Sequence, residues 1–217
     1  MENRALNNRY INEIKNFPGL IFSGKDYANA VPYFKLPVLL DVGCGNGEAL
    51  VHEAQNNPDK FYVGIELQYK EVYRTVIKIK KLSLNNCLLL QADAAKVPDL
   101  FGPGQIAGVN IFFPDPWPKT KHKKNRLVTT SYLRRLFGKM LPGSFVKIRT
   151  DNDDYFMHML SVIYPLRDEF GLEMTEFSRD HYRYGNKHGA CITAFERIFI
   201  RQGLLINSLY FKVNKPL

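Results

Sequence analysis

Val38-Leu39-Leu40-Asp41-Val42-Gly43-Cys44-Gly45-Asn46-Gly47-Glu48 decides the fold of this chain. An apolar run of strand length stops at an acid and enters a turn of alternating glycines, and a helical pattern opens at Glu48. Where side chains are missing a ligand can approach the backbone closely, and the first N–H groups of the next helix point at it. A strand, a glycine turn and a helix in that order begin an α/β sheet that binds a ligand at its carboxyl rim.

Outward from this turn the same alternation recurs. Apolar, β-branched and aromatic runs at Phe61 to Ile65, Cys87 to Gln91, Val109 to Phe113 and Phe145 to Arg149 read as further strands. Helical patterns separate them at Glu48 to Gln55, Tyr69 to Leu82 and Thr129 to Met140, the last closed by Pro142 and Gly143. A further helix opens on Asp151 to Asp154 and runs to about Val162. These features predict a Rossmann-like α/β fold: a mostly parallel, seven-stranded sheet with helices on both faces and an antiparallel C-terminal strand. The alternation over Cys191 to Ile200 predicts that late strand, with Glu173 to Phe177 as its antiparallel neighbour. Residues 1–36 are Asn-rich, basic and punctuated by Gly and Pro, and read as an arm or strap on a domain spanning 37–217.

The glycine spacing is GxGxG. A dinucleotide turn asks for its third glycine where Glu48 stands, and a carboxylate there would repel a pyrophosphate. S-adenosylmethionine carries no phosphate, and its amino-acid end and ribose suit a glycine turn ringed by acids. The cofactor-binding set is therefore Asp41, Gly43, Gly45 and Gly47, with Glu66 ending the second strand as a ribose acceptor and Asp93 ending the third as an acceptor for the adenine amino group.

The fourth strand runs into Phe113-Pro114-Asp115-Pro116-Trp117-Pro118-Lys119, where prolines fix φ and remove donors, so the chain leaves the sheet stiffly. Asp115 then faces the methyl donor. Trp117, the one tryptophan in the sequence, reads as a plug under this loop ahead of a base-stacking group. Next, Lys119 to Arg126 holds five cations and His122. At the mouth of a site, Lys121, His122, Lys123, Lys124 and Arg126 are candidate phosphate contacts. Lys70, Arg74, Lys78, Lys80 and Lys81 on the second helix extend that surface.

Composition agrees. Thirty Lys and Arg stand against 21 Asp and Glu in 217 residues, a formal charge of +9, which suits a polyanionic partner. Cys44, Cys87 and Cys191 lack CxxC spacing, so neither a disulfide framework nor a metal site is expected. No apolar run approaches the ~20 residues of a membrane span, and the first ten residues lack the apolar stretch of a secretory signal. A cytoplasmic protein without membrane contact is expected, monomeric or homodimeric and with no obligatory protein partner.

With these motifs in hand, the chain resembles the bacterial tRNA (guanine-N7)-methyltransferase family from about Val38 to Arg201. The likeness rests on Asp115-Pro116-Trp117-Pro118-Lys119, the His/Lys/Arg run behind it, Thr150-Asp151, and Thr193-Ala194-Phe195-Glu196 on the late strand. The resemblance implies transfer of a methyl group from S-adenosylmethionine to a guanine in the variable loop of tRNA. It gives Asp115 a catalytic as well as a cofactor role, and makes Lys119, Asp151, Thr193 and Glu196 substrate-binding positions. The sequence departs from the family at Asp41, where Glu is usual, and at Lys121, where Arg is usual and Lys forgoes bidentate phosphate contact.

Guanine N7 carries a lone pair and no proton, so transfer to it needs alignment and desolvation more than a general base. A carboxylate can accept from guanine N1–H and the 2-amino group together, which adenine cannot match. Asp151 or Glu196 is the candidate reader, with Asp115 orienting donor or base. The alternatives are an amino-group methyltransferase acting on adenine or cytosine, whose loop reads D/N-P-P-Y/F/W, and a catalytically silent RNA-binding module.

Overall fold

The computed structural model describes residues 9–23, 27–185 and 191–215. Among these, strands β1 (Ile21–Ser23), β2 (Val38–Val42), β3 (Phe61–Glu66), β4 (Cys87–Gln91), β5 (Ile106–Phe112), β6 (Met140–Thr150), β7 (Leu172–Ser178) and β8 (Asn207–Val213) form one sheet in the order β1-β4-β3-β2-β5-β6-β8-β7. The α/β fold and its mostly parallel sheet stand as read, with β8 alone running against its neighbours. The strand count is eight rather than seven. The added strand, β1, lies within the stretch read as an arm and pairs parallel with β4, Ile21 beside Leu89. Residues 1–8 and 24–26 of that stretch lie outside the described residues.

Helices α1 (Arg9–Glu13), α2 (Tyr27–Ala30), α3 (Glu48–Asn56), α4 (Tyr69–Lys81), α5 (Val97–Leu100), α6 (Thr130–Phe137), α7 (Asp153–Ile163), α8 (Arg167–Phe170) and α9 (Ala194–Arg201) surround it. The helical spacing of Val72, Val76 and Ile79 buries one side of α4, with Leu50, Val51 and Ala54 of α3, against Leu39, Tyr62 and Leu89. The other face packs Leu133, Leu136 and Phe137 of α6 and Tyr155, Phe156 and Met159 of α7 on Val109, Ile111, Val146 and Ile148. Each such side chain taken from water contributes roughly 1.5–3 kcal/mol.

Strand order reverses between β2 and β5, because β3 and β4 extend the sheet one way and β6 the other. That switch point is where open α/β sheets bind ligands. It sets the glycine turn after β2 opposite the proline loop after β5.

Two sequence expectations give way here. Thr129 caps α6 as its side chain accepts from the Tyr132 N–H, but the helix stops at Phe137 with Gly138 as its cap. Pro142 and Gly143 lie instead where β6 bulges away from β5: pairing breaks between Ile106–Met140 and Gly108–Phe145, and Gly143 takes φ 77°. The larger change is at 191–200. Its alternation does not mark a strand; Ala194–Arg201 is helical, and β7 pairs with Asn207–Val213. Thr193 and Glu196 form a capping box, each side chain closing on the other's backbone N–H, and this local bonding overrides the two-residue pattern. Phe195 and Ile198 are exposed, so the alternation never recorded a buried sheet face. No helix among the described residues is long and apolar enough to cross a membrane.

Candidate functional site

The glycine turn is tied to its neighbours at every step. The N–H groups of Gly43 and Cys44 donate to the Ile65 carbonyl at 2.8 and 3.0 Å, and that of Gly47 to Cys44 at 2.9 Å. From α4, the Thr75 hydroxyl donates to the Gly45 carbonyl at 3.1 Å and Lys78 Nζ to the Asn46 carbonyl at 2.7 Å. Lys78, expected on the RNA surface, is thus turned onto the cofactor turn, and its partial burial lowers its pKa. Arg74 pairs with Glu71.

The glycines differ in purpose. All three have positive φ, 75°, 53° and 73°. A Cβ on Gly47 would lie 2.2 Å from Thr75 Cγ2, whereas one on Gly43 or Gly45 would meet nothing within 4 Å. Gly47 lets α3 and α4 close; the other two keep open the ground in front of the turn.

Around that opening stand the predicted acids. Glu66 accepts from the Gly45 N–H at 3.0 Å through Oε2 and from the Gln68 N–H at 2.8 Å through Oε1. Asp93 is exposed and accepts from the Ala95 N–H at 3.0 Å. Asp41 is buried, and burial, followed by the charges of Glu53 and Glu66, raises its carboxyl to about 7. Its Oδ2 has no partner among the described residues, and neither has Oδ1 of Asn110, its register neighbour on β5. Two buried acceptors awaiting a donor, an uncluttered glycine turn and a strand-end acid fit the ammonium and ribose of S-adenosylmethionine. Asn110 was missed because it sits mid-strand, away from any motif.

Glu48, whose charge argued against a pyrophosphate, faces elsewhere. Its Oε2 accepts from the Ala194 N–H at 2.6 Å and from Arg197 Nη2 at 3.0 Å, so the first residue of α3 holds the first turn of α9.

Across the switch point the proline loop is under strain. Phe113 and Trp117 have φ 52° and 43°, costing of order 1–3 kcal/mol each for side chains of this bulk. Long-range contacts hold them there. The Phe113 N–H donates to the Arg149 carbonyl at 2.8 Å, and the Phe113 ring lies 5.5 Å from that of Phe199 on α9. Arg126 Nε donates to the Pro116 carbonyl at 2.9 Å, its guanidinium lies 4.8 Å over the Tyr155 ring, and Nη2 pairs with Asp154. Arg126 is 3% exposed, so it clamps the loop from within and is corrected from a phosphate contact to a positioning residue. The half-buried Trp117 sits edge-on to His122.

The remaining cations of the run lie on a 3-10 turn at Thr120–Asn125. Lys123 pairs with Asp154 at 3.1 Å, while Lys119, Lys121 and Lys124 are exposed and without an acidic partner among the described residues. Asp115, just before this run, is exposed and has no ion-pair partner among the described residues.

Asp151 and Glu196 part company. Asn152, not Asp151, caps α7 by accepting from the Tyr155 N–H at 2.8 Å, so Asp151 is half-buried beside the loop with no partner among the described residues. Glu196 is fully buried. Its Oε1 accepts from Arg149 Nη1 at 2.8 Å and its Oε2 from the Thr193 N–H at 2.7 Å. Shut away from solvent and paired with Arg149, it presents no oxygen to a base edge, and this corrects the sequence expectation for it. Thr193, half-buried, accepts from the Glu196 N–H. Arg149 also donates from Nε to the Tyr210 hydroxyl at 2.7 Å and lies 4.4 Å over the Phe112 ring, joining β5, β6, β8 and α9. The T-x-x-E spacing was the available signal for the capping box; nothing in the sequence marked Arg149.

Comparison with known proteins bears on this arrangement. A protein family described as "Putative methyltransferase" matches residues 35–207. The chain is 38% identical over 183 residues to the tRNA (guanine-N(7)-)-methyltransferase of Alkalilimnicola ehrlichii, covering 82% of this chain and 73% of that one. It is 34% identical to the same-named protein of Bacillus subtilis, over 77% and 76% of the two chains. Among solved structures it resembles the 16S rRNA methyltransferase KamB, with a TM-score of 0.61 at 15% identity over 89% and 94% of the chains. It also resembles a protein of Streptococcus mutans described as "a putative methyltransferase", in complex with SAH, with a TM-score of 0.54 at 10% identity over 82% and 88%.

Proposed function

We propose, because this chain belongs to the tRNA (guanine-N(7)-)-methyltransferase family, that it transfers a methyl group from S-adenosylmethionine to N7 of a guanine in tRNA. The observation that carries the chemistry is the crevice at the strand-order reversal, with an unobstructed glycine turn on one wall and a clamped, strained proline corner on the other.

When bound, the cofactor supplies an electrophilic methyl carbon on a sulfonium. The chain's own residues do the rest by position. Gly43 and Gly45 leave room for the amino-acid end, Asp41 and Asn110 offer buried acceptors to its ammonium, Glu66 takes the ribose hydroxyls and Asp93 the adenine amino group. Guanine N7 has no proton to remove, so no base is required of Asp115. Standing at the stiff corner, it orients donor and base, and misplacement by about 1 Å can cost on the order of 100-fold. Asp151, unpaired beside the loop, accepts from N1–H and the 2-amino group; a bidentate pair of this kind discriminates by ~1–3 kcal/mol. Thr193 lines the same side at the start of α9. Lys119, Lys121, Lys124 and His122 take the backbone phosphates, with Lys123 partly engaged by Asp154. We place the target guanine in the variable loop and the reaction in the cytoplasm.

The amino-group alternative is not favoured. Its loop needs a second proline at position 117, where Trp117 has φ 43°, far from the −65° that a proline ring fixes. Incubating the protein with labelled methyl donor and unmodified tRNA, followed by mass spectrometry of the nucleosides, tests the reading. Formation of 7-methylguanosine, lost when the variable-loop guanine is replaced, supports it; an N-methylated amine in its place overturns it.

A further inference from the structure

Beyond the basic run and Asp151, one stretch of the same rim has no role in the account above. Phe177-Ser178-Arg179-Asp180-His181-Tyr182-Arg183-Tyr184 leaves the end of β7 and makes a tight π-helical turn over His181–Gly185. β7 ends at Ser178, level with Ser208, and β6 ends at Thr150, level with Asn207, so this stretch and Asp151 share one edge of the sheet. Asp153 joins them: Asn207 Nδ2 donates to its Oδ1 at 2.8 Å and Arg179 Nη2 pairs with its Oδ2 at 2.9 Å.

The turn is fixed from inside. His181 is 1% exposed, with Nδ1 3.0 Å from Glu176 Oε1, an oxygen that also accepts from the Ser208 hydroxyl. The His181 N–H donates to the Ile206 carbonyl at 2.8 Å, and Asp180 Oδ1 accepts from the Arg183 N–H at 3.2 Å. What this anchoring presents is unusual for a solvated surface. Tyr184 is 63% exposed, Phe177 58% and Leu205 58%, and together with Arg179 and Arg183 they line a groove of about 410 Å³. The Arg183 guanidinium lies 5.3 Å over the Tyr184 ring and has no acidic partner among the described residues. A largely exposed aromatic ring with a guanidinium over it has the makings of a stacking platform. Single-stranded nucleic acid is held by such groups, with stacked bases and cations for the phosphates.

The acids of the groove do not stand against this. Asp153 is neutralised by Arg179, and Asp180 is turned into the backbone of the turn. The chain's overall charge of +9 favours a polyanion over an acid-rich or neutral partner. An enzyme that reaches a guanine inside folded RNA must lift it from its stack, which leaves neighbouring bases in need of new partners.

We propose that the Tyr184–Arg183 groove is a second RNA subsite, where an unstacked base next to the target lies on the Tyr184 ring and its phosphate meets Arg183. It rests on the methyl-transfer reading for the identity of the RNA. It differs from the loop at 119–124 in kind, since that loop offers charge without an exposed ring.

The test uses the full chain and an unmodified tRNA transcript. Tyr184→Ala is expected to weaken transcript binding, measured by filter retention without cofactor, about tenfold, with the loss in turnover falling on KM rather than kcat. Tyr184→Phe, which keeps the ring, restores binding to within about twofold. Arg183→Gln lowers the slope of log affinity against log salt by about 0.7, the single-strand value for one phosphate. SAH affinity by calorimetry stays at the wild-type value in all three. If wild type forms 7-methylguanosine while Tyr184→Ala binds the transcript as wild type does, the subsite falls and the enzymatic reading stands. If wild type forms none yet Tyr184→Ala still weakens binding, the enzymatic reading falls and the groove remains an RNA site.

Discussion

The two walls of the crevice are built by different physics. The cofactor wall is assembled by hydrogen bonds onto the backbone of one turn: turn backbone on strand backbone, Glu66 on Gly45, Thr75 and Lys78 on the carbonyls of the same turn. The RNA wall is held by ion pairs between side chains, Arg149 with Glu196 and Arg126 with Asp154. The first is geometric, so it fails by steric clash. The second is ionic, with both Arg149 and Glu196 buried and Arg126 buried against an exposed Asp154, so it fails by leaving a charge without its counter-ion.

That contrast predicts its largest effect at Arg149. Arg149→Met leaves Glu196 fully buried and unpaired and removes the donor to Tyr210, and breaking such a pair costs about 3–5 kcal/mol. Chemical denaturation should show a loss of that size, with tRNA turnover falling further than SAH affinity. A double substitution, Arg149→Met with Glu196→Leu, should recover much of the stability but not the turnover, since α9 then lacks its anchor. Equal loss in both variants would mean that burial of charge is not what holds this wall.

On the cofactor wall the matching substitutions are Gly47→Ala and Gly45→Ala. Both positions have positive φ, but only at 47 does a new methyl group collide with Thr75. Gly47→Ala should destabilise the protein by about 2–4 kcal/mol, strain and overpacking together. Gly45→Ala should cost about 1 kcal/mol of stability, the backbone strain alone, yet lose most SAH binding because its methyl group stands in the open ground before the turn. Calorimetry with SAH alongside denaturation separates the two. Similar SAH affinity for Gly45→Ala and wild type would remove the cofactor from that ground.

Asp41 yields an effect that depends on pH. Its carboxyl titrates near 3.9 when unfolded and at about 7 when folded, so the folded state prefers it neutral. The stability associated with that proton is fully present below about pH 4 and is lost as pH rises through 7. Asp41→Asn, which is neutral throughout, should therefore gain relative to wild type across this window, reaching on the order of 4 kcal/mol at pH 8. SAH binding to wild type should tighten over the same rise as the carboxylate forms opposite an ammonium. A pH-independent difference between the two proteins would place the titration elsewhere.

The same contrast explains what the sequence disclosed. Strands β2 to β6 were legible because each is an apolar run bounded by turn residues, and the cofactor wall because glycines and strand-end acids act where they stand in the chain. The RNA wall was only partly legible. DPWPK announced a stiff corner, but not that Arg126 would turn inward to clamp it, since a cation within a basic run carries no mark of the carboxylate it will meet. At 191–200 two local signals conflicted, alternation and T-x-x-E, and the hydrogen-bonded cap prevailed. Arg149 lies in a strand that reads as core; its partners are supplied by β8 and α9, and topology alone brings them there. β1 escaped notice because three residues of a basic arm gain strand character only from the free edge of β4.

The smallest effect tests the seam between the walls. Glu48 opens α3 directly after the cofactor turn and accepts from the first N–H of α9, whose cap is Thr193. Half of the Arg197 side chain is exposed, so the ion pair itself contributes no more than about 1 kcal/mol. Glu48→Gln keeps an acceptor for the Ala194 N–H and removes only the charge facing Arg197 and the positive end of α9. If the walls are independent, the substitution should leave both SAH affinity and tRNA affinity near wild type. If the seam joins them, tRNA KM should rise roughly threefold to fivefold while SAH affinity moves less than twofold, the size expected from one exposed charge contact. Arg197→Gln, losing the same pair from the other side, should produce the same rise, and the double variant should add little to either single one. Additive losses would show that Glu48 and Arg197 act through different neighbours, and the two walls would then share a crevice without sharing a contact that matters.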